Sequence, residues 1–416
     1  MSVGGLTRSE APVDTRPTAL ILGGLRRGAL LVFLPVFAAG QAIAWLTYAA
    51  SGLFQPWSWF KIGLAQTLAS VRVPFEAAGA EGASLQIAIG ALTVVVLVLG
   101  FRAGREQARG LEGRPTTAAR AGTLIGFGFA IPMFAAALPV TLDLPLFDIE
   151  GLRPVLWLAF AIPLAVGAAT GAAGGLDAAA DRLEHGSTWT ARAYASARGG
   201  ALAFWWGTLF AFVGFLVVAA ASPGPTGAYA RFVTENGGIG PATVLEHAAL
   251  VPNQSVLVLS TAMGATTTLS LGDEPAVEVR LSGVRAVEPV GAFLTAYTGA
   301  ASDRASFPRW FAGFLLIPAV ATISGGRSAG LGGGGVSERC VRGALAGVVY
   351  AVLCAIAAWA ATLVVPAVAR LTGASLRLGP SVAVTFALAL VWGVVGGALG
   401  GSLAPRLVWP GASGPR

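Results

Sequence analysis

Charge is what this sequence has least of. Only 11% of its 416 residues are charged, against about 25% in an ordinary soluble domain. A soluble globule needs a charged and polar skin, so that class is excluded. The apolar content excludes a disordered chain as well. Two cysteines, Cys340 and Cys354, exclude a disulfide framework. Two histidines, His185 and His247, complete no zinc ligand set with them at any recognised spacing, and HExxH is absent. No Ser-His-Asp set and no other acid-base or nucleophile set can be assembled. An enzyme is therefore not expected, and no metal or other cofactor is implied. Gly330 to Gly335 (GLGGGG) lacks the Lys, the Ser/Thr and the preceding strand of a phosphate loop. Lysine and asparagine are also nearly missing: Lys61 is the only lysine, and Asn236 and Asn253 are the only asparagines. Both have AT-rich codons, so the bias points to a high-GC bacterial genome.

What is present is apolar. Hydrophobic residues make up 55% of the chain, and the mean hydropathy is +0.73. The class implied is all-α and integral to a membrane, with the lipid bilayer as the first partner. At about 20 apolar residues per crossing, the chain offers about nine hydrophobic segments. They cover residues 29–50, 84–101, 121–140, 154–176, 199–221, 242–271, 311–324, 343–368 and 381–401. Residues 53–75, with Trp57, Trp59, Phe60, Lys61 and Arg72, read as a helix lying in the membrane interface or as a folded external loop. No linker, soluble domain or clean internal repeat stands out, so residues 1–416 read as a single polytopic transmembrane domain.

The net charge of +7 comes almost wholly from arginine. The arginines fall between apolar segments, which marks an orientation signal rather than nucleic-acid binding. Residues 1–28 carry Arg8, Arg16, Arg26 and Arg27 and no cleavable signal, so they are expected in the cytoplasm. Arg102, Arg105, Arg109, Arg114 and Arg120 place the next basic loop there, as do Arg182, Arg192 and Arg198. Arg327, Arg339 and Arg342 demand the same side, but simple alternation puts them outside. Two readings repair the parity. Residues 242–271 form a broken or re-entrant element, or residues 284–301 cross as well. Pro252 favours the first, because a proline inside a helix removes a ladder bond. The loop 272–309 is then external, with a β-hairpin turning at Gly272 to Pro275. The expected location is a bacterial plasma membrane, multi-pass, with a cytoplasmic N-terminus.

Two features stand out within the spans. Small residues recur at every fourth position: Gly167, Gly171 and Gly175 in one row, Gly393, Gly397 and Gly401 in another, and Gly122 with Gly126 in a shorter one. Such rows let helices approach closely. The second is LEHAALVPNQSVLVL, Leu245 to Leu259, which gathers Glu246, His247, Asn253, Gln254 and Ser255. Ionisable and amide groups at membrane depth are site candidates by default. They could bind an ion, a proton or a polar substrate, or Asn253 and Gln254 could merely satisfy carbonyls freed by Pro252. Gln41 and Thr208 read as isolated interhelical hydrogen-bonders, and Trp45, Trp157, Trp205, Trp310 and Trp392 as interfacial anchors.

Leu250 to Gly272 (LVPNQSVLVLSTAMGATTTLSLG) resembles a landmark of the actinobacterial PerM-like polytopic membrane proteins. The matching features are Pro252 and Asn253, then Gly264, then Thr266 to Thr268. FLLIPAVATISGG, Phe314 to Gly326, and RAGRE, Arg102 to Glu106, are further echoes. The resemblance implies a structural or regulatory role in the cell envelope, linked to cell division or envelope maintenance, with other membrane or division proteins as partners and no nucleic acid. No catalytic residue carries over. The alternative is a secondary transporter or channel with its polar site at the broken segment.

Overall fold

The computed structural model describes residues 17–48, 56–77, 84–111, 114–144, 149–184, 188–221, 241–272, 274–286, 304–306, 309–365 and 375–405. In chain order the elements are α1 (Pro17–Thr47), α2 (Pro56–Ala69), β1 (Phe75–Glu76), β2 (Ser84–Leu85), α3 (Gly90–Gln107), α4 (Pro115–Ala137), β3 (Leu142–Leu144), β4 (Ile149–Pro154), α5 (Leu156–Ala178) and the short α6 (Ala180–Glu184). The second half repeats that order. It contains α7 (Thr188–Ala221), α8 (Pro241–Ala262), β5 (Thr267–Leu271), β6 (Glu274–Arg280), β7 (Gly283–Ala286), β8 (Arg304–Ser306), α9 (Arg309–Gly330), α10 (Val336–Ala361), β9 (Leu363–Val365), β10 (Leu376–Pro380) and α11 (Val382–Ser402). The two halves are thus alike in the order of their elements.

Among the described residues seven helices, α1, α4, α5, α7, α9, α10 and α11, are long and apolar enough to cross a membrane. They indicate an integral, multi-pass membrane protein. Seven is fewer than the nine segments expected, for two reasons. The apolar run 84–101 spends its start on β2, and α3 then takes in Arg102, Arg105 and Glu106. Residues 242–271 divide into α8, a turn and β5. In the other direction, 311–324 is longer than the hydropathy suggested. It begins as a 3-10 turn at Arg309 and ends at Gly330. The exposed faces of these helices are apolar: Leu22, Leu46, Trp157, Val391 and Leu399 are all more than half exposed. A contiguous surface of that kind fits lipid.

The strands make the chain less purely helical than expected. Two antiparallel sheets, β2-β1-β4-β3 and β8-β7-β6-β5-β10-β9, cluster at one end of the bundle. The β5–β6 hairpin turns at Gly272, whose φ of +65° suits glycine. The other end carries Arg105, Arg192 and Arg342 in ion pairs. There Glu338 of α10 takes Arg192 of α7 at 2.6 Å and Arg342 at 3.0 Å, and Arg105 of α3 meets Asp177 of α5 at 3.5 Å.

The two units match contact by contact. In unit one, a Cβ on Gly104 (α3) or on Gly122 (α4) would fall on the Gly171 carbonyl (α5). In unit two, a Cβ on Gly326 (α9) or Gly343 (α10) would fall on the Gly397 carbonyl (α11). Gly174 abuts the Phe101 carbonyl as Gly400 abuts that of Ile323. Gly175 abuts Ala118 as Gly401 abuts Arg339. Backbones this close make dispersion contacts that side chains would prevent. One pair is exchanged: Gly100 receives Thr170 in unit one, whereas Thr322 fills the space at Gly396 in unit two. Phe75 of β1 pairs with Pro154, and Thr267 of β5 with Pro380, each proline opening the unit's last helix.

Candidate functional site

The helices α2 and α8 do not join one end of the bundle to the other. Each ends in the same turn and returns as a strand to the sheet end. After α2, Val73 N–H reaches the Leu68 carbonyl (3.3 Å) and Arg72 N–H reaches Ala69 (3.1 Å). After α8, Ala265 N–H reaches Ser260 (3.0 Å) and Gly264 N–H reaches Thr261 (2.9 Å). This is the glycine-type helix stop, which needs a left-handed residue one place past the helix. Gly264 supplies it with φ +102°, and Arg72 with φ +60°, the latter a rare state for a side-chain-bearing residue. The tip of α8 lies beside the middle of two long helices. The Met263 carbonyl accepts from Trp392 Nε1 at 3.2 Å, and Tyr350 O–H donates to Met263 Sδ at 3.4 Å.

The helix α8 runs through Pro252 without breaking, contrary to the expectation from sequence. The chain turns back at the stop at Gly264, twelve residues beyond Pro252. The segment 53–75 also differs. Its helix does not rest on the surface. Leu64, Thr67 and Leu68 are buried against α1 and α4, in a core with Val32, Val36 and Phe129.

The candidate residues of α8 are not gathered into one site. Asn253 crosses to unit one, where its Oδ1 accepts from Gly90 N–H (2.8 Å) and its Nδ2 donates to the Ala88 carbonyl (2.9 Å). It therefore satisfies the first free N–H of α3 and not the carbonyls beside Pro252. Ser255 is buried and turns its hydroxyl onto its own helix, donating to the Val251 carbonyl at 3.0 Å. Gln254 is half-buried. Glu246 and His247 lie on α8, but their side chains fall outside the described part of the structure. Among the described residues no three His, Cys, Asp or Glu side chains come together as a metal ion would need. The residues of the glycine rows, Gly167, Gly171 and Gly175 on α5 and Gly393, Gly397 and Gly401 on α11, all face neighbouring helices within their own unit.

Sequence reading passed over Arg72. Its side chain is buried and crosses to unit two, donating to the Thr362 carbonyl at 3.0 Å and to that of Trp359, with its guanidinium 4.3 Å from the Trp359 ring centre. The C-terminal carbonyls of α10 carry the negative end of that helix's dipole and balance the cation. Burial, and Arg377 nearby, bring its pKa down to about 10, so it stays charged at neutral pH. Gln86 and Val364 exchange two backbone bonds, 2.8 and 2.9 Å, and join the two sheets. The units are thus pinned at the sheet end by reciprocal reaches, Arg72 one way and Asn253 the other. No pattern in the local sequence signals Arg72, because its partners lie some 290 residues away.

No family model, no curated protein and no solved structure matches this chain.

Proposed function

We propose that this is a non-enzymatic protein of a bacterial plasma membrane, with the arginine end in the cytoplasm and both sheets outside. Its role is structural or regulatory, in cell-envelope maintenance or division, as the resemblance to the PerM-like proteins implies. In this reading α3 is an eighth crossing, because it takes the place in unit one that α9 takes in unit two. The re-entrant α2 and α8 add no crossings, which removes the parity conflict among the arginine loops. The observation that carries the reading is Asn253. Its Oδ1 and Nδ2 are both engaged by backbone of unit one, so this amide serves assembly. An outward sheet platform held by close-packed helices suits docking of other membrane or division proteins.

Secondary transport is the second reading. Parallel repeats related by an axis along the membrane normal occur in transporter folds, and the matched units have that order of elements. Two experiments separate the possibilities. With Cys340 and Cys354 replaced by serine, single cysteines at Ser2 and Gly335 should label from the cytoplasm and one at Asp273 from outside. Labelling of Asp273 and Gly335 from one side would overturn the topology. Deletion of the gene should lengthen cells or sensitise them to envelope stress. Normal growth under that stress, combined with loss of uptake of a defined solute, would favour transport.

A further inference from the structure

The helices α3 and α9 hold matching places and differ along their outer faces. They align at Gly104 and Gly326, each packed on a carbonyl of its unit's last helix, and at Gly110 and Gly332, both left-handed with φ of +81° and +76°. Along α3, Val94, Val98, Arg102 and Arg105 stand four, four and three residues apart, which keeps them within about 80° of one another around the helix. Arg109 continues the row just past the helix end, where its N–H reaches the Glu106 carbonyl at 3.4 Å. All five are exposed. Their counterparts on α9 are Leu316, Val320, Ser324, Arg327 and Leu331, of which Leu316, Val320 and Leu331 are exposed apolar residues. Both stripes begin apolar and both keep one arginine. Arg102 and Arg109 alone have no basic counterpart. A fold that accepts Ser324 and Leu331 at these places does not need arginine there.

Arg105 has a partner in Asp177 at 3.5 Å. Among the described residues Arg102 and Arg109 have no carboxylate within ion-pair reach, although Glu106 stands one turn from Arg102. Orientation has other sources of charge, since Arg114 and Arg120 follow at once and are exposed as well. Arg102 lies five residues inside the end of α3, roughly 7.5 Å along the axis. There the apolar stripe gives way to the charged one. A guanidinium holds phosphate oxygens through paired N–H groups. Arg102 and Arg109 are about 10 Å apart along the axis, a gap that two extended arginine side chains close on one headgroup. An acidic soluble protein would match the arginines and leave Val94 and Val98 uncovered. A phospholipid matches both, with charge at one end and an apolar chain at the other. We propose that the outer face of α3 binds an anionic phospholipid, its headgroup held by Arg102 and Arg109 and its acyl chain lying along Val98 and Val94. This rests on the reading of α3 as an eighth crossing.

The test uses the full chain in nanodiscs of phosphatidylcholine, alone or with roughly a third phosphatidylglycerol, and reads thermal unfolding. The native protein should gain about 3–5 °C in Tm from phosphatidylglycerol. R102S/R109L, which copies α9, should lose most of that gain and keep the native Tm in phosphatidylcholine alone. R114Q/R120Q removes the same charge from the start of α4 and should keep most of the gain. Equal losses in the two double variants would mean bulk surface charge and overturn the proposal, as would an undiminished gain in R102S/R109L. A lower Tm of R102S/R109L in phosphatidylcholine alone would overturn it too, because the arginines would then serve the fold. Glycerol 3-phosphate added to phosphatidylcholine discs should shift nothing; a shift equal to that from the lipid would leave the valines without a role and sink the lipid assignment. The crossing of α3 is checked without lipid. With Cys340 and Cys354 replaced by serine, Arg114→Cys should label from the side that labels Gly335→Cys. Labelling from the side of Asp273→Cys would remove the crossing, and the proposal with it, whatever the Tm values.

Discussion

Unit one and unit two use one plan, and what separates them is where each reaches for the other. The three-helix contacts at Gly171 and Gly397 are interchangeable in geometry. The helices α2 and α8 are not. At corresponding places α2 carries Lys61 and α8 carries Asn253, and the turns that follow carry Arg72 and Gly264. Close packing of backbones leaves a repeat no freedom to diverge, since any side chain at those points collides. The tip of α2 reaches the partner unit through Arg72, whereas the tip of α8 packs on Tyr350 and Trp392 of its own unit and α8 reaches across through Asn253, so the two helices meet different surroundings and their residues could change. Where the pair differs is therefore where assembly or binding is decided.

That contrast can be broken from its strongest point downward. Gly171→Leu and Gly397→Leu should each abolish the folded protein, since overpacking typically costs about 1–3 kcal/mol and backbone here leaves no room to yield. Recovery of monodisperse protein by size exclusion measures this. If one variant survives and the other does not, the two cores are alike in shape only. Next comes Asn253→Leu, which strips Ala88 and Gly90 of their partners. The expected loss is roughly 1–2 kcal/mol, seen as a lower Tm with the protein still inserted. Lys61→Leu, its counterpart, should lose less. If Asn253→Leu also fails a growth complementation test at normal protein levels, the residue has a role beyond assembly, and Asn253→Gln should be intermediate.

Arg72→Gly imposes the unit-two turn on unit one. It relieves a left-handed conformation that costs about 1–2 kcal/mol in a side-chain-bearing residue, but it removes the grip on Trp359 and Thr362. A net fall in Tm is expected, smaller than for Asn253→Leu. A rise would mean that strain at φ +60° outweighs the inter-unit bonds. The smallest change should come from Gly264→Ala. The nearest atom to its Cβ is Leu388 Cδ1 at 3.9 Å, so only the backbone penalty of about 1 kcal/mol remains.

Much of the helical layout was legible, because a bilayer span declares itself by length and hydropathy alone. The glycine rows were legible for the same reason: spacing of four is a local property. Pro252 misled, since a proline inside a packed helix forfeits one bond while its neighbours hold the rest. The segment 84–101 misled because its apolar start closes a sheet. The repeat escaped notice because the units share contacts more than residues. Gly100 with Thr170 in one and Thr322 with Gly396 in the other make the same fit from opposite helices, which no comparison of one line with another would register.

By itself the sequence determined the membrane class, the approximate spans and the end that carries positive charge, because each follows from composition within a window of one helix. Only the tertiary structure decided that α2 and α8 turn back and that Arg72 and Asn253 pin the units together. Those facts depend on which buried donor meets which acceptor across a long stretch of chain. Local patterns carry no term for that pairing.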